Sequence, residues 1–173
     1  MDLSSLFWIL IAVVALQPMF LARWMTYRRL QAIAAIEARR GTRVITMIHR
    51  QEQRGILGFS LSRHIDLEDA QTVIAAIKAT PPSKPIDLVL HTPGGLVLAA
   101  MQIARAVEAH PAKVSVLVPV YAMSGGTLIA LAGDEVVLGE FSVLGPIDPQ
   151  IAGLPAASIV KARNSKPVEQ VHD

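Results

Sequence analysis

The feature that most constrains this chain is a switch from strand to helix around Ser124. Val114 to Val118 is a mainly β-branched run, typical of a buried strand, and residues 127–132 have the composition of a helix. Ser124 is therefore expected at a helix N-terminus, where main-chain N–H groups lack intrahelical partners and the dipole favours negative charge. An oxyanion formed beside Ser124 would meet ready donors. The alternative is that Ser124 is an ordinary helix N-cap.

A second switch of the same kind precedes it in the chain. The apolar run Ile86 to Leu90 leads into Thr92-Pro93-Gly94-Gly95, and a helical run follows. Proline and paired glycines favour a bend that aims main-chain N–H groups outward. In a parallel sheet both turns would lie side by side at the carboxyl ends of their strands, so the sequence predicts a site between them.

The remaining pattern predicts an α/β fold with a mainly parallel sheet. Strands are predicted at 43–49, 86–90, 114–118 and 135–138, with helices starting at residues 65, 96 and 127. Alternating strands and helices are typical of parallel crossovers. Asp66 and Asp69 form a carboxylate variant of the capping box at the first helix. The helix at 96–109 is predicted to turn four residues inward: Leu98, Met101, Ile103 and Val107.

The N-terminal segment predicts a membrane anchor. Leu3 to Ala22 has no charged residue and is long enough to cross a hydrocarbon core as a helix, although Gln17 and Pro18 interrupt it. Arginines follow directly, which predicts a single-pass protein with its N-terminus outside and the body of the chain in the cytoplasm. A buried core helix is the alternative.

These patterns divide the chain into three parts. We predict a transmembrane anchor at 1–25, an amphipathic linker helix at 26–42 that Gly41 ends, and one α/β domain at 43–173. The basic face of the linker would lie on the lipid bilayer or stay solvated.

Composition excludes several classes of function. The chain has no cysteine, so disulfides and thiolate metal sites are excluded. A net charge of +2, with arginines gathered toward the N-terminus, gives no case for nucleic acid. We expect no metal and no organic cofactor, and the sequence has no Gly-x-Gly-x-x-Gly fingerprint.

Four motifs in order give the chain a recognisable signature. They are Thr92-Pro93-Gly94-Gly95, Ala122-Met123-Ser124-Gly125-Gly126, Gly133-Asp134-Glu135-Val136-Val137 and Leu144-Gly145-Pro146-Ile147-Asp148-Pro149-Gln150. From about Arg43 to Pro167 the chain resembles the membrane-bound serine dehydrogenase proteinases, which are Clp/crotonase-fold serine proteases related to signal peptide peptidase A. The resemblance implies repeated β-β-α units and a homo-oligomer.

The residues alone leave the catalytic base open between His91, which precedes the Pro-Gly-Gly turn, and a lysine. The resemblance implies a serine–lysine dyad of Ser124 with a lysine later in the chain. Lys166 matches the family's position, and Lys161 is the alternative. It also implies oxyanion donors at the main-chain N–H groups of Gly94 or Gly95 and of Gly125.

The resulting hypothesis is a membrane-anchored serine endopeptidase that cleaves membrane-associated polypeptides. Two alternatives stay open: an acyl-CoA enzyme, in which paired glycine turns hold a thioester enolate, and a non-catalytic membrane scaffold. Members of the family have further helices after the lysine, so the sequence is also consistent with a fragment of a longer protease.

Overall fold

The computed structural model describes residues 2–49, 64–148, 150–151 and 154–165. The chain divides into two compact units, Met1–Thr42 and Arg43–Asp173, each described here by itself.

The first unit is one continuous helix, α1, from Leu3 to Arg40, with Pro18 inside it. Gly41 ends it in the left-handed conformation, at φ 68°, and its N–H donates to the Glu37 carbonyl at 2.9 Å. A left-handed residue is easiest for glycine, which confirms Gly41 as the helix end.

The predicted transmembrane anchor is wrong. Among the residues described, no helix is both long enough and apolar enough to cross a membrane. The predicted single-pass topology, with the N-terminus outside and the domain in the cytoplasm, is wrong for the same reason.

The second unit is built on a four-stranded parallel sheet, which confirms the predicted α/β class. Strands β1 (Arg43–Ile48), β2 (Ile86–His91), β3 (Val114–Val118) and β5 (Glu135–Leu138) lie in the order β1-β2-β3-β5. Ile86 is opposite Arg43 on one side and Val114 on the other. The carboxyl ends of all four strands therefore lie at the same side of the sheet.

Five further elements are short. They are β4 (Tyr121–Ala122), β6 (Val143–Leu144), β7 (Gln150–Ile151), β8 (Leu154–Pro155) and α5 (Ala156–Ser165). β4 pairs with β6 in parallel, and isolated bridges join Thr92 to Ala122 and Ile65 to Gly95. These bridges form a second, smaller layer of backbone pairing at the carboxyl ends of the main strands.

Three helices pack side by side in this unit: α2 (Leu67–Lys78), α3 (Val97–Glu108) and α4 (Gly125–Leu131). The capping box of α2 is confirmed. The Asp69 N–H donates to the Asp66 carboxylate at 2.9 Å, and the Asp66 N–H donates to the Asp69 carboxylate at 3.0 Å. The bond from the Asp69 N–H lowers the pKa of Asp66.

The buried face of α3 differs from the predicted one. Ile103 and Val107 are buried as expected, but Leu98 is 60% and Met101 40% exposed. Alanines at 99, 100 and 104 fill the inner face instead, because α3 packs against both α2 and α4. Small residues permit that close approach, so the larger side chains turn outward.

This assignment predicts unequal costs for two truncations on α3. Ile103→Ala should lower the free energy of unfolding by about 2–5 kcal/mol, because it opens a cavity in the core. Leu98→Ala, on the exposed face, should change it by less than about 0.5 kcal/mol. Urea unfolding measures both, and equal costs would contradict the assigned face.

Candidate active site

Ser124 has a strained backbone. Its φ of 50° and ψ of −114° make it the one non-glycine residue with positive φ in the part of the chain described. It occupies the N-cap position of α4, but its side chain makes no capping hydrogen bond. An ordinary N-cap has extended dihedrals and accepts a bond from the following turn, so this serine does not act as one. Such strain costs about 1–3 kcal/mol and is concentrated at functional sites.

The Pro-Gly-Gly turn lies directly against this serine. A Cβ added to Gly94, whose φ is 99°, would lie 2.9 Å from the Ser124 Cβ and 2.7 Å from the Met123 carbonyl oxygen. A Cβ on Gly125 would lie 2.9 Å from the Ala100 Cβ and 3.8 Å from the Gly95 nitrogen. The structure thus brings the two predicted glycine turns together, closer than side chains would allow.

The three glycine amides proposed as oxyanion donors differ in their surroundings. The Gly94 N–H donates to Thr92 Oγ1 at 3.1 Å. The Gly94 carbonyl accepts from the Ile65 N–H at 2.8 Å, and no peptide bond among the described residues is cis. Because C=O and N–H point in opposite directions across a trans peptide, the Gly95 N–H points away from Ile65.

The Gly125 amide begins α4. The first N–H groups of a helix have no intrahelical acceptor, so this amide is also available to an incoming group. Ser124 itself is half-buried, with a surface that a substrate can reach. The arrangement offers one hydroxyl next to two main-chain donors, which suits chemistry on a carbonyl carbon.

Thr92 joins the two turns. Its N–H donates to the Tyr121 carbonyl at 3.2 Å, and its carbonyl accepts from the Met123 N–H at 3.0 Å. Its methyl lies 2.5 Å from a Cβ placed on Gly126, so the helix behind Ser124 packs directly on this threonine. The Thr92 side chain is fully buried.

A buried histidine and an aspartate stand behind Thr92. His49 Nδ1 lies 2.8 Å from Thr92 Oγ1, and His49 Nε2 lies 3.2 Å from Asp69 Oδ2. His49 is 4% exposed. A cavity of about 440 Å³ is lined by residues of β1 and α2 and by both His49 and Asp69.

Sequence reasoning missed this group of side chains. The signals were present: a threonine before Pro-Gly-Gly, whose hydroxyl can bond the backbone two residues on, and a histidine at the end of a strand. Their partnership depends on the register of β1 against β2, which places Ile48 opposite His91 and the next residue, His49, beside the glycine turn.

His91 packs on an aromatic ring. Its ring centroid lies 4.2 Å from that of Tyr121, at an angle of 58° between the planes. Its Nδ1 is buried without a hydrogen-bond partner in the described part of the chain. Within the described ranges no carboxylate bonds to this ring, which a catalytic histidine would need.

Of the two lysines predicted as candidate bases, only one lies in the described part of the chain. Lys161 lies on α5 with an exposed side chain. Lys166 falls outside the described residues.

Of the other two motifs, the one that contains Gly145 supports the turn at Ser124. Thr127 Oγ1 lies 2.8 Å from the carbonyl oxygens of both Ala122 and Gly145, and the Gly145 N–H donates to the Ala122 carbonyl at 3.0 Å. This holds the loop after β6 against Met123, which Gly145 contacts.

In the Gly133-Asp134-Glu135 motif, the Asp134 carboxylate accepts from the Val114 N–H at 2.7 Å. Glu135 accepts from Ser115 Oγ at 2.8 Å and pairs with Lys113 at 2.9 Å. These contacts fix the amino ends of β3 and β5, so this motif supports the sheet at the edge opposite the glycine turns.

The chain is similar in sequence to two archaeal proteins. The chain is 48% identical to the uncharacterized protein MJ0137 of Methanocaldococcus jannaschii, over 98% of its own length and 59% of the relative. It is 48% identical to the uncharacterized protein MJ1495 of the same organism, over 93% of its length and 55% of the relative. The chain thus spans a little more than half the length of these relatives.

The family model described as ClpP-like SDH-type serine proteinase matches residues 1–173. The match covers both the strained serine and the Pro-Gly-Gly turn that packs on it. The chain belongs to the ClpP-like SDH-type serine proteinase family.

Proposed function

We propose that the chain is a serine endopeptidase whose nucleophile is Ser124 and whose base is Lys166, with Lys161 as the alternative. The observation that supports it most is the strained, uncapped Ser124 lying against Gly94. A serine that only capped a helix would gain nothing from positive φ. The non-catalytic scaffold, which treats Ser124 as a cap, does not account for this conformation.

The reaction follows from these roles. Lysine in its neutral form takes the Ser124 proton as Oγ attacks the peptide carbonyl, and then gives that proton to the leaving amine. Water attacks the resulting acyl-enzyme, with the same lysine as base. The Gly95 and Gly125 amides would bind the oxyanion in both steps, whereas the Gly94 amide is already bonded to Thr92.

The substrate class follows from the edge that carries Gly95. One side of the Gly94–Leu96 segment is paired with Ile65, and the other side faces the serine. An extended polypeptide added along that second side would bring its carbonyl to Ser124. We further propose a homo-oligomer, on the grounds of family membership.

Replacement of Ser124 separates activity from strain. Ser124→Ala and Ser124→Gly should both lower kcat by at least about 10³-fold and abolish labelling by a fluorophosphonate, because the nucleophile is removed. Ser124→Gly should nevertheless be more stable than Ser124→Ala by about 1 kcal/mol, since glycine adopts positive φ without strain.

Peptide hydrolysis, labelling and urea unfolding measure these effects. The matched control is Ser142→Ala. Ser142 donates to the Val118 carbonyl, and the variant that lacks this hydroxyl should still be labelled at Ser124. Retained hydrolysis and labelling in Ser124→Ala would refute the mechanism.

Two lysine variants identify the base. Lys166→Ala should lower kcat by about 10²–10⁴-fold, while Lys161→Ala should stay near the parent rate. Lys166→Arg should not recover activity, because a guanidinium keeps its proton. The reverse order would assign the base to Lys161, and full activity in both alanine variants would exclude a serine–lysine dyad.

A further inference from the structure

Three hydrogen bonds and one ion-pair contact connect the start of α2 to the glycine turn. The Asp66 N–H donates to Asp69 Oδ2, which also faces His49 Nε2 at 3.2 Å. His49 Nδ1 lies 2.8 Å from Thr92 Oγ1, which accepts from the Gly94 N–H at 3.1 Å. The two middle members are buried, His49 at 4% and Thr92 at 0% exposure.

With Asp69 ionised and His49 neutral, one assignment of protons gives every donor in this series an acceptor. An ionised carboxylate only accepts, so His49 must present a proton on Nε2 to Asp69. A neutral imidazole carries one proton, which leaves Nδ1 bare and able to accept from the Thr92 hydroxyl. The Thr92 oxygen in turn accepts from Gly94. Each donor thus has an acceptor, and the bonds all run in one direction toward Asp69.

The bonds at the other end set the orientation of the Gly94–Gly95 peptide. The Gly94 N–H is held by Thr92 and the Gly94 carbonyl by Ile65, so the backbone is fixed on both sides of this residue. Gly94 has a φ of 99° and no side chain, so side-chain packing cannot hold its backbone in this conformation. The Gly95 N–H is aimed by these two contacts.

We propose that Thr92 is a positioning residue for catalysis, held in place by His49 and Asp69, and that it aims the Gly95 N–H at the oxyanion. The proposal rests on the function proposed above. Packing alone does not require a buried histidine here, since burying a polar ring costs free energy unless it is hydrogen-bonded and an apolar side chain would fill the space. A fixed donor, in contrast, needs no reorganisation at the moment of reaction.

The test compares three threonine variants of the full chain. Thr92→Val keeps the methyl that packs on Gly126 and removes the hydroxyl, and it should lower kcat about 10–100-fold with KM within about 2-fold. Thr92→Ser keeps the hydroxyl and should stay within about 3-fold of the parent. Thr80→Val removes another buried hydroxyl, which donates to the Ala76 carbonyl, and should leave kcat unchanged.

Thermal unfolding of the same proteins separates positioning from loss of structure. Thr92→Val and Thr80→Val should lose comparable stability, so a kcat effect confined to Thr92→Val is not explained by unfolding. If Thr92→Val matches Thr80→Val in kcat while the parent hydrolyses peptides, the positioning role is overturned and the proposed function stands. If the parent shows neither hydrolysis nor fluorophosphonate labelling, both are overturned.

Nitrogen NMR of His49 gives a readout independent of turnover. The parent should show the tautomer with the proton on Nε2 and a bare Nδ1 that accepts a hydrogen bond. In Thr92→Val the Nδ1 signal should shift toward that of a free imidazole nitrogen, and in Thr92→Ser it should not. A parent protein with the proton on Nδ1 would overturn the direction of the bonds and the proposal with it.

Discussion

The structure of the site depends on two main-chain hydrogen bonds that join Thr92, just after β2, to the backbone at β4. Thr92 donates to Tyr121 and accepts from Met123, so the backbone before the Pro-Gly-Gly turn is fixed to the backbone before Ser124. Parallel strands alone bring their carboxyl ends near one another. The two bonds bring the turns into contact, and any side chain on Gly94 would then collide with Ser124.

This contact explains why the strain at Ser124 persists. A positive φ would relax if the turn were free, but α4 packs on Thr92 through Gly126, and Thr127 holds the loop at Gly145. The cost of about 1–3 kcal/mol is therefore offset by contacts that the core makes in any case. In this strained turn the Ser124 side chain makes no hydrogen bond to the backbone of α4 as a cap, so its hydroxyl is available to a substrate.

The sequence was sufficient for the four strands of the main sheet and for the pair of glycine turns, because apolar runs and turn residues act locally. It was insufficient where packing between elements decides. Leu98 and Met101 fitted a helical stripe, yet close contact among α2, α3 and α4 selects alanines for the inner face. The link from His49 to Thr92 depends on strand register across more than forty residues, which no local pattern reports.

His49 is far from the Pro-Gly-Gly turn in sequence, yet it contacts the threonine whose hydroxyl bonds to that turn. Glycine provides the space that a substrate carbonyl requires, but it provides no side chain to hold the peptide in one orientation. A hydroxyl two residues earlier can hold it, although a hydroxyl rotates unless its own proton has a fixed acceptor. In the proposed arrangement His49 is that acceptor, and Asp69, 3.2 Å from its Nε2, selects the tautomer that makes it one. On this proposal, the freedom that the glycines introduce at the site is removed through Thr92 by His49, which directly follows β1, and by Asp69 on α2.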